Sequence, residues 1–350
     1  MRVSLDEGPP RSRIPETPQR RNGVAPARRR TAEPACIDIG LVNNMPDAAL
    51  EKTERQFTGL LNAAAGERRI RLKLYSLPEI VRTGAAHERV ALHYAPIDEL
   101  WGSRLDGLIV TGTEPRAPDL RDEPYWRTLT KIVDWAEVNT RSTIWSCLAA
   151  HAAVLYTDGI GRHPLGDKCF GVFDCVRSTE HAVTRGLPAR LPISHSRWNG
   201  LREEELTAAG YTILTRSEEA GVDMFARQGN SLFVFFQGHP EYEARTLLGE
   251  FRRDVRRFLR GERETYPLLP QNYFDAGTAR RLGEFRRRAL ADRREALIET
   301  FPGMDDALQA PWRPAVERLM AQWLGELTAT TLAAKQSLTK PVEQQTPPSP

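Results

Sequence analysis

Short apolar runs alternate along the chain with longer stretches whose apolar residues recur at helical spacing. Compact or alternating apolar runs bounded by turn residues predict strands. They are Ile37–Val42, Arg71–Tyr75, Leu108–Thr111, Ser142–Ser146, Thr212–Leu214 and Leu232–Phe236. Helical spacing occurs at Ala48–Ala65, Tyr125–Asn139 and Leu148–Leu155, and a further helix is predicted from near Glu243. Strands that alternate with helices favour an α/β fold with a mostly parallel sheet flanked by helices.

The two ends of the chain have the composition of disordered segments. Residues 1–34 combine Pro, Arg, Glu and Thr with few large apolar side chains, and residues 331–350 end in a Gln-, Pro- and Ser-rich sequence. Such segments bury too little apolar surface to offset the entropy lost on ordering. We therefore predict a disordered basic arm at 1–34, one folded domain at 35–330 and a disordered tail at 331–350.

The overall composition, with 40% hydrophobic and 27% charged residues, is ordinary for a globular protein. A net charge of +3 does not favour nucleic acid as a partner. No apolar run approaches the roughly 18 residues of a membrane span. No apolar segment follows the basic start, as one would in a secretory signal. We expect a cytoplasmic protein without a membrane partner.

A second concentration of positive charge extends from Arg252 to Arg294, where Glu and Asp are interleaved at helical spacings. This pattern predicts a solvated helix face with ion pairs between successive turns. The basic arm and the Arg280–Arg294 segment have no assigned partner, so self-association of the chain as a homodimer stays open.

The four cysteines, Cys36, Cys147, Cys169 and Cys175, form no C-x-x-C pair and have no histidines at zinc spacing beside them. The sequence therefore predicts no structural metal. Scattered cysteines in an intracellular chain are expected to be free thiols. A lone cysteine with a distant histidine is then a candidate nucleophile.

Cys147 lies where the predicted strand Ser142–Ser146 runs directly into the helix that begins at Leu148. A strand–turn–helix junction presents its side chain at the carboxyl end of the sheet, where open α/β folds build their sites. The positive end of the helix dipole would stabilise a thiolate there. The local sequence is equally compatible with a small buried core cysteine.

The second candidate is the turn Gly238-His239-Pro240-Glu241, which follows the predicted strand Leu232–Phe236. Pro240 fixes its own backbone and restricts His239, so the imidazole is held by a stiff turn. Glu241 is close enough in sequence to accept a hydrogen bond from one ring nitrogen. The other nitrogen would then face a nucleophile as its base.

This pairing of cysteine and histidine turns resembles class I glutamine-amidotransferase-like folds, which are flavodoxin-like three-layer sandwiches. They serve both amidotransferases and homoserine O-acyltransferases. An ordered set of motifs across residues 37–330 resembles the homoserine O-succinyltransferase family, which also contains homoserine O-acetyltransferases. Besides the Cys147 turn, the motifs are Asn43–Pro46, Glu54–Phe57, Asp106–Gly112, Glu123–Trp126, Lys168–Phe173, His195–Arg197, His239–Tyr242, Phe251–Val255, Gln271–Phe274 and the segment from Trp312 to Trp323. The resemblance implies that 35–330 is an acyltransferase catalytic domain.

The resemblance assigns the chemistry to three residues: Cys147 would carry the acyl thioester, His239 would be the base and Glu241 its orienting partner. Cys147 would attack a CoA thioester, and the homoserine hydroxyl would then take the acyl group. Backbone N–H groups near Leu148 and the Gly112 turn are candidates for the oxyanion hole. The cycle needs no metal and no cofactor beyond succinyl-CoA or acetyl-CoA as co-substrate.

Substrate recognition falls, by the same resemblance, on Lys168, Ser196 and Arg253, at positions that contact the amino acid in the family. An arginine fork is the natural partner of the homoserine carboxylate. The loop after Gly112 governs acyl-chain choice in the family; here Arg116 would attract a succinyl carboxylate, whereas Glu114 would repel it. We expect O-succinylation of L-homoserine for methionine biosynthesis, with O-acetylation as the alternative.

Further alternatives stay open from the sequence. Serine could replace homoserine as the acceptor, because the two differ by one methylene. A glutamine amidotransferase-type hydrolase is disfavoured, since Trp145-Ser146-Cys147-Leu148-Ala149 lacks the two glycines of the usual Gly-x-Cys-x-Gly turn. A catalytically inactive binding module is disfavoured by the retained Cys, His and Glu. His151, one helical turn after Cys147, is a second polar group near the site or, as we favour, a packed core histidine.

Overall fold

Ten strands and nine α-helices are present in the computed structural model, which describes residues 2–6, 36–303 and 308–338. The strands are β1 (Val3–Leu5), β2 (Cys36–Val42), β3 (Arg69–Tyr75), β4 (Gly107–Val110), β5 (Ser142–Ser146), β6 (His163–Arg177), β7 (Arg190–Gly200), β8 (Thr212–Ser217), β9 (Gly221–Gln228) and β10 (Leu232–Phe236). The helices are α1 (Asp47–Ala64), α2 (Gly84–His93), α3 (Asp98–Trp101), α4 (Trp126–Asn139), α5 (Leu148–Asp158), α6 (Glu203–Ala208), α7 (Thr246–Leu259), α8 (Ala276–Ala291) and α9 (Arg313–Leu338).

All ten strands belong to one sheet, in the order β1-β3-β2-β4-β5-β10-β9-β8-β6-β7. The first six of these strands run parallel to one another, and β9, β8, β6 and β7 extend the sheet by antiparallel pairing. The predicted α/β fold with a mostly parallel sheet is confirmed. Phe236 pairs with Ser146, so the segments that follow β5 and β10 leave the sheet at the same edge.

Helices cover both faces of the sheet, as in a three-layer sandwich. Every residue of β4, β5 and β10 is buried, which is typical of parallel strands covered on both sides. Successive residues point to opposite faces. Ile144 therefore packs with the layer of α1, α7, α8 and α9, while Trp145 packs with α4 and α5. The central strands are thus fixed on both sides, and so are the turns at their ends.

The ends of the chain differ from the sequence prediction. Val3–Leu5, inside the predicted disordered arm, pairs in parallel with β3, and Val3 is buried. The outer edge of β3 supplies unpaired backbone groups that even a short segment can satisfy. Residues 7–34 lie outside the described residues. α9 extends past the predicted start of the tail at 331, and residues 339–350 again lie outside the described part.

The arginine-rich stretch forms α7, α8 and the turn after α8. The described ion pairs of this stretch join either separate elements or residues one or two apart in sequence, such as Arg253 with Asp254, and not the successive helix turns that the spacing predicted. Arg257 contacts Glu114 in the loop after β4, and Arg260 contacts Glu295 beyond α8. The charges therefore help to hold these helices against their neighbours.

Among the described residues, no helix combines the length and apolarity needed to cross a membrane.

Candidate active site

Cys147 occupies a strained turn between β5 and α5. Its φ is 53°, in the left-handed region that non-glycine residues rarely adopt. The Cys147 backbone N–H donates to the carbonyl of Phe236 at 2.7 Å, which ties the turn to the end of β10. The first N–H groups of α5 have no partner within the helix. The half-buried sulfur therefore lies at a helix N-terminus on the carboxyl edge of the sheet.

His239 and Glu241 follow β10 at the same edge. His239 Nδ1 lies 2.9 Å from Glu241 Oε1, and a carboxylate only accepts, so Nδ1 donates. The Cys147 side chain lies near enough to the imidazole for its charge and hydrogen bonding to raise the pKa of His239. Ser194 of β7 fixes the His239 backbone twice, since its carbonyl accepts from the His239 N–H at 2.8 Å and its hydroxyl donates to the His239 carbonyl at 2.7 Å. The three predicted catalytic side chains thus form one chain of contacts.

The charge state of His239 follows from its neighbours. Burial by itself lowers the pKa of His239, but the charges of Glu241 and Cys147 raise it well above the ordinary value. The imidazole is therefore protonated near neutral pH. A protonated imidazole beside a cysteine stabilises the thiolate, which is the nucleophilic form.

The two residues predicted to form an oxyanion hole lie against each other. A Cβ added to Gly112 would lie 2.9 Å from the backbone nitrogen of Leu148, so the end of β4 packs directly on the start of α5. Asn44 fixes this strand end, because its backbone N–H donates to Thr111 Oγ1 at 2.8 Å and its side-chain amide donates to the Thr111 carbonyl at 3.2 Å. Backbone N–H groups beside Cys147 are thus held in fixed positions, as the predicted oxyanion hole requires.

Two carboxylates of α7 contact the three residues that were predicted to bind the amino acid. The Ser196 hydroxyl donates to Glu250, and Lys168 Nζ lies 3.7 Å from the same carboxylate. Lys168 Nζ lies 3.2 Å from Asp254, which also accepts from the Arg253 guanidinium at 3.0 Å. Burial raises the pKa of Asp254, but Lys168 and Arg253 outweigh it and the pKa is lowered. The result is a cluster of both charge signs.

Arg253, and not the adjacent Arg252, belongs to this cluster. The Arg252 guanidinium lies over the ring of Phe301, 5.7 Å from its centroid, on a different side of α7. The Arg253 side chain is 49% exposed, so its guanidinium remains accessible to a ligand while Asp254 holds it.

The loop that follows Gly112 carries the two predicted acyl-specificity residues. Buried Glu123 accepts from the backbone N–H groups of Arg116 and Ala117, the second at 2.7 Å, which fixes the loop. Glu114 forms an ion pair with Arg257 of α7 at 3.2 Å. The loop borders a cavity of about 510 Å³ that Arg116 also lines. Within the described residues the exposed Arg116 guanidinium has no hydrogen-bond or ion-pair partner.

Comparison with known sequences identifies the family. The sequence model of a family described as homoserine O-succinyltransferase matches residues 19–332. The chain belongs to the homoserine O-succinyltransferase family. It is similar to a homoserine O-succinyltransferase of Rhodopseudomonas palustris, with 54% identity over 78% of this chain and 82% of that protein. The protein of the same name from Bradyrhizobium japonicum is 50% identical over 85% of this chain and 92% of its own length.

More distant members and a solved structure extend the comparison. A homoserine O-succinyltransferase of Thiothrix nivea is 38% identical over 84% of this chain and 83% of its own length. The crystal structure of a glutamine amidotransferase from Thermotoga maritima superposes with a TM-score of 0.45 and 13% identity, over 83% of this chain and 97% of that chain. Family membership therefore rests on the sequence relatives.

Sequence reasoning missed Tyr242, Glu250 and Asp254 as parts of this family member's site. The Tyr242 ring stacks on the His239 imidazole with centroids 4.3 Å apart, and its hydroxyl donates to Glu250. Glu250 and Asp254 are four residues apart on α7 and flank Arg253. That i,i+4 spacing of carboxylates was a usable signal, since it places both on one face of α7, the face that contacts Lys168 of β6.

A buried cluster of Cys175, His195 and Asp223 has ligand atoms within 4.8 Å of one another and so resembles a metal site. His195 Nε2 lies 3.3 Å from Asp223 Oδ1, and Arg197 Nε donates to His195 Nδ1 at 3.4 Å. A guanidinium only donates, so the ring proton of a neutral His195 lies on Nε2, facing Asp223. A metal ion in this cluster would bind the lone pair of His195 Nε2, but that nitrogen carries the proton, so the arrangement does not fit a metal site. We interpret the cluster as a buried His–Asp pair that packs beneath Gly238.

His151 is a packed core histidine, as the sequence favoured. It is 3% exposed, and its Nε2 hydrogen-bonds with Gln237 Oε1 at 3.0 Å. Gln237 also accepts from the Leu201 N–H and donates to the Val222 carbonyl, so its amide is fixed by three hydrogen bonds. Burial lowers the pKa of His151 to about 3. The residue stays neutral and stabilises the segment that leads into His239.

Proposed function

We propose that the chain transfers a succinyl group from succinyl-CoA to the hydroxyl of L-homoserine, which supplies methionine biosynthesis with O-succinyl-L-homoserine. The observation that carries this proposal is the contact of the Cys147 sulfur with the His239 imidazole, beside a cluster of both charge signs. The names of the family and of its members point to the same reaction.

The reaction proceeds in two half-reactions. The Cys147 thiolate attacks the thioester carbonyl, the bond to the CoA sulfur breaks, and His239 gives its proton to the departing CoA thiolate. The homoserine hydroxyl then loses its proton to His239 as its oxygen attacks the acyl carbon. The carbon–sulfur bond to Cys147 breaks, which releases the ester and restores the thiolate. N–H groups near Leu148 and the Gly112 turn bind the oxyanion of both tetrahedral intermediates.

The cluster around α7 has the charges that a zwitterionic amino acid requires. Lys168 and Arg253 are cations suited to the homoserine carboxylate, and the accessible guanidinium of Arg253 offers a two-pronged contact. Glu250 and Asp254 supply negative charge for the ammonium end. Tyr242 spans the distance from this cluster to His239, so the hydroxyl of a bound homoserine would point toward the acyl-enzyme.

The loop after Gly112 favours succinyl-CoA over acetyl-CoA. The negative charge of Glu114 would repel a succinyl carboxylate, but Arg257 offsets it. Arg116, which lines the adjacent cavity, then provides a cation for that carboxylate. An acetyl group carries no charge and gains nothing from Arg116.

The test is a donor-by-acceptor assay with the purified protein. Succinyl-CoA or acetyl-CoA is combined with homoserine or serine, and free CoA and the O-acyl product are quantified by mass spectrometry. We expect the highest kcat/KM for succinyl-CoA with homoserine. Arg116→Gln should lower kcat/KM for succinyl-CoA about tenfold and leave acetyl-CoA unaffected, whereas Arg121→Gln in the same loop should change neither. Ammonia release from glutamine without use of a CoA ester would contradict the proposal.

A further inference from the structure

Tyr242 lies between the reacting groups and the amino-acid cluster and contacts both. Its ring is stacked nearly face to face on the His239 imidazole, at 4.3 Å between centroids and 18° between planes. Its hydroxyl donates to Oε1 of Glu250. Its backbone carbonyl accepts from the indole N–H of Trp312 at 2.8 Å, and the residue is 6% exposed. The side chain is therefore fixed at its base, along its ring and at its tip.

Glu250 continues this set of contacts to Ser196. Oε2 of Glu250 accepts from the Ser196 hydroxyl, and Lys168 Nζ lies 3.7 Å from the same oxygen. A carboxylate has no hydrogen to give, so both hydroxyls must be donors. The oxygen of Ser196 then presents only its lone pairs to a ligand. The direction of the Ser196 hydroxyl thus depends on Glu250, and the position of Glu250 depends on Tyr242.

We propose that Tyr242 is a positioning residue that couples the catalytic imidazole to the binding of the amino acid, an inference that rests on the proposed function. The ring holds the plane of the imidazole, so that the nitrogen not bonded to Glu241 meets the Cys147 sulfur. The hydroxyl holds Glu250, and through it Ser196, in the orientation that homoserine requires. Phenylalanine would serve the first role alone, and only tyrosine serves both.

Two substitutions separate the ring from the hydroxyl, and the half-reactions are measured one at a time. Tyr242→Phe keeps the ring. Acylation of Cys147 by succinyl-CoA should stay within about threefold of wild type, whereas discharge by homoserine should need about tenfold more homoserine. Tyr242→Leu removes the stack, and both half-reactions should slow by about tenfold or more. Tyr266→Phe is the matched control: it packs on Phe251 of α7, and its buried hydroxyl has no hydrogen-bond partner among the described residues.

A merely structural role would slow both half-reactions together in Tyr242→Phe, and that result would overturn the inference. Equal homoserine dependence in Tyr242→Phe and Tyr266→Phe would overturn it as well. Calorimetric titration measures the Kd for homoserine without any turnover. We expect binding to be about tenfold weaker in Tyr242→Phe and unchanged in Tyr266→Phe. A wild-type protein that binds homoserine but accepts no acyl group would contradict the proposed function alone, since the titration still decides the role of Tyr242.

Discussion

The parallel and antiparallel halves of the sheet contribute to the site in different ways. In the parallel half, Cys147 and His239 stand on turns directly after fully buried strands, and backbone hydrogen bonds fix both turns. In the antiparallel half, Lys168 and Ser196 project from β6 and β7, and carboxylates of α7 fix their side chains. The proposed reacting groups are thus held by backbone hydrogen bonds, whereas the proposed recognition groups are held by contacts with carboxylates.

This difference predicts different kinetic consequences. Interactions made only in the transition state change kcat, while interactions made equally with bound substrate change KM. Changes to the turns after β4, β5 and β10 should therefore lower the rate. Changes to the charged cluster should raise the homoserine concentration that is needed. The following substitutions test this division.

The largest effect is expected for the base. His239→Ala should slow discharge of the acyl-enzyme by homoserine about 10³-fold, because the variant loses the proposed acceptor of the hydroxyl proton. Single-turnover mass spectrometry of preacylated protein measures this rate. His163→Ala is the control, since His163 pairs with Glu205 away from the site. Discharge at the wild-type rate in His239→Ala would remove His239 from the mechanism.

The next effect concerns the oxyanion hole. The methyl group of Gly112→Ala would meet the Leu148 backbone at 2.9 Å and push the two segments apart. We expect kcat to fall about 10²-fold, as when one oxyanion donor is lost, with little change in KM for homoserine. Gly59→Ala controls for the added methyl, because its Cβ would enter open space. A raised KM at unchanged kcat would place Gly112 in substrate binding instead.

A smaller effect is expected in the recognition cluster. Lys168→Met should raise KM for homoserine about tenfold or more through loss of a charged contact, while acylation by succinyl-CoA proceeds normally. Lys131→Met provides a control, since Lys131 lies over the ring of Trp101 outside the site. Loss of acylation in Lys168→Met, with homoserine use intact, would place Lys168 in the acylation step. It would contradict the assignment of substrate recognition to the antiparallel half.

The smallest effect is a pH dependence of stability. The pKa of His151 falls from its ordinary 6.5 to about 3 on folding, so the unfolded chain binds a proton that the folded protein does not. This part of the stability is complete above pH 6.5 and is lost as the pH falls toward 3. From pH 7 to pH 5 the loss is about 2 kcal/mol. Urea unfolding of His151→Gln should show that much less pH dependence, and an unchanged slope would contradict the assignment.

The central strands of the parallel half and the turns after them could be predicted from the sequence, because the residues that mark each one lie close together in the chain. Apolar runs such as Leu108–Thr111 end at a glycine, and Ser142–Ser146 enters a helix through Cys147, so strand, turn and nucleophile share one short segment. The His239 turn was equally local, since Pro240 restricts it. Backbone geometry of this kind is encoded within a few residues.

Most of the antiparallel half, and β1 at the outer edge of the parallel half, could not be predicted in the same way, although Thr212–Leu214 of β8 was predicted as a strand. β6 is 15 residues long but has irregular burial and a register shift after Pro164, so no two-residue alternation marks it. Asp254 lay in the stretch predicted to be a solvated helix face, and Glu250 was assigned no role; only the fold places Lys168 against both carboxylates. Val3–Leu5 is a strand only because β3 offers it an edge. These features depend on partners distant in sequence.

The central claim is that the Cys147 sulfur carries the acyl group. Intact-mass and peptide analysis after incubation with succinyl-CoA, before any homoserine is added, tests it most directly. We expect one succinyl group on Cys147 that disappears when homoserine is added, that also forms in Cys169→Ala and that never forms in Cys147→Ala. A succinyl group on another residue, or turnover by Cys147→Ala at the wild-type rate, would contradict it.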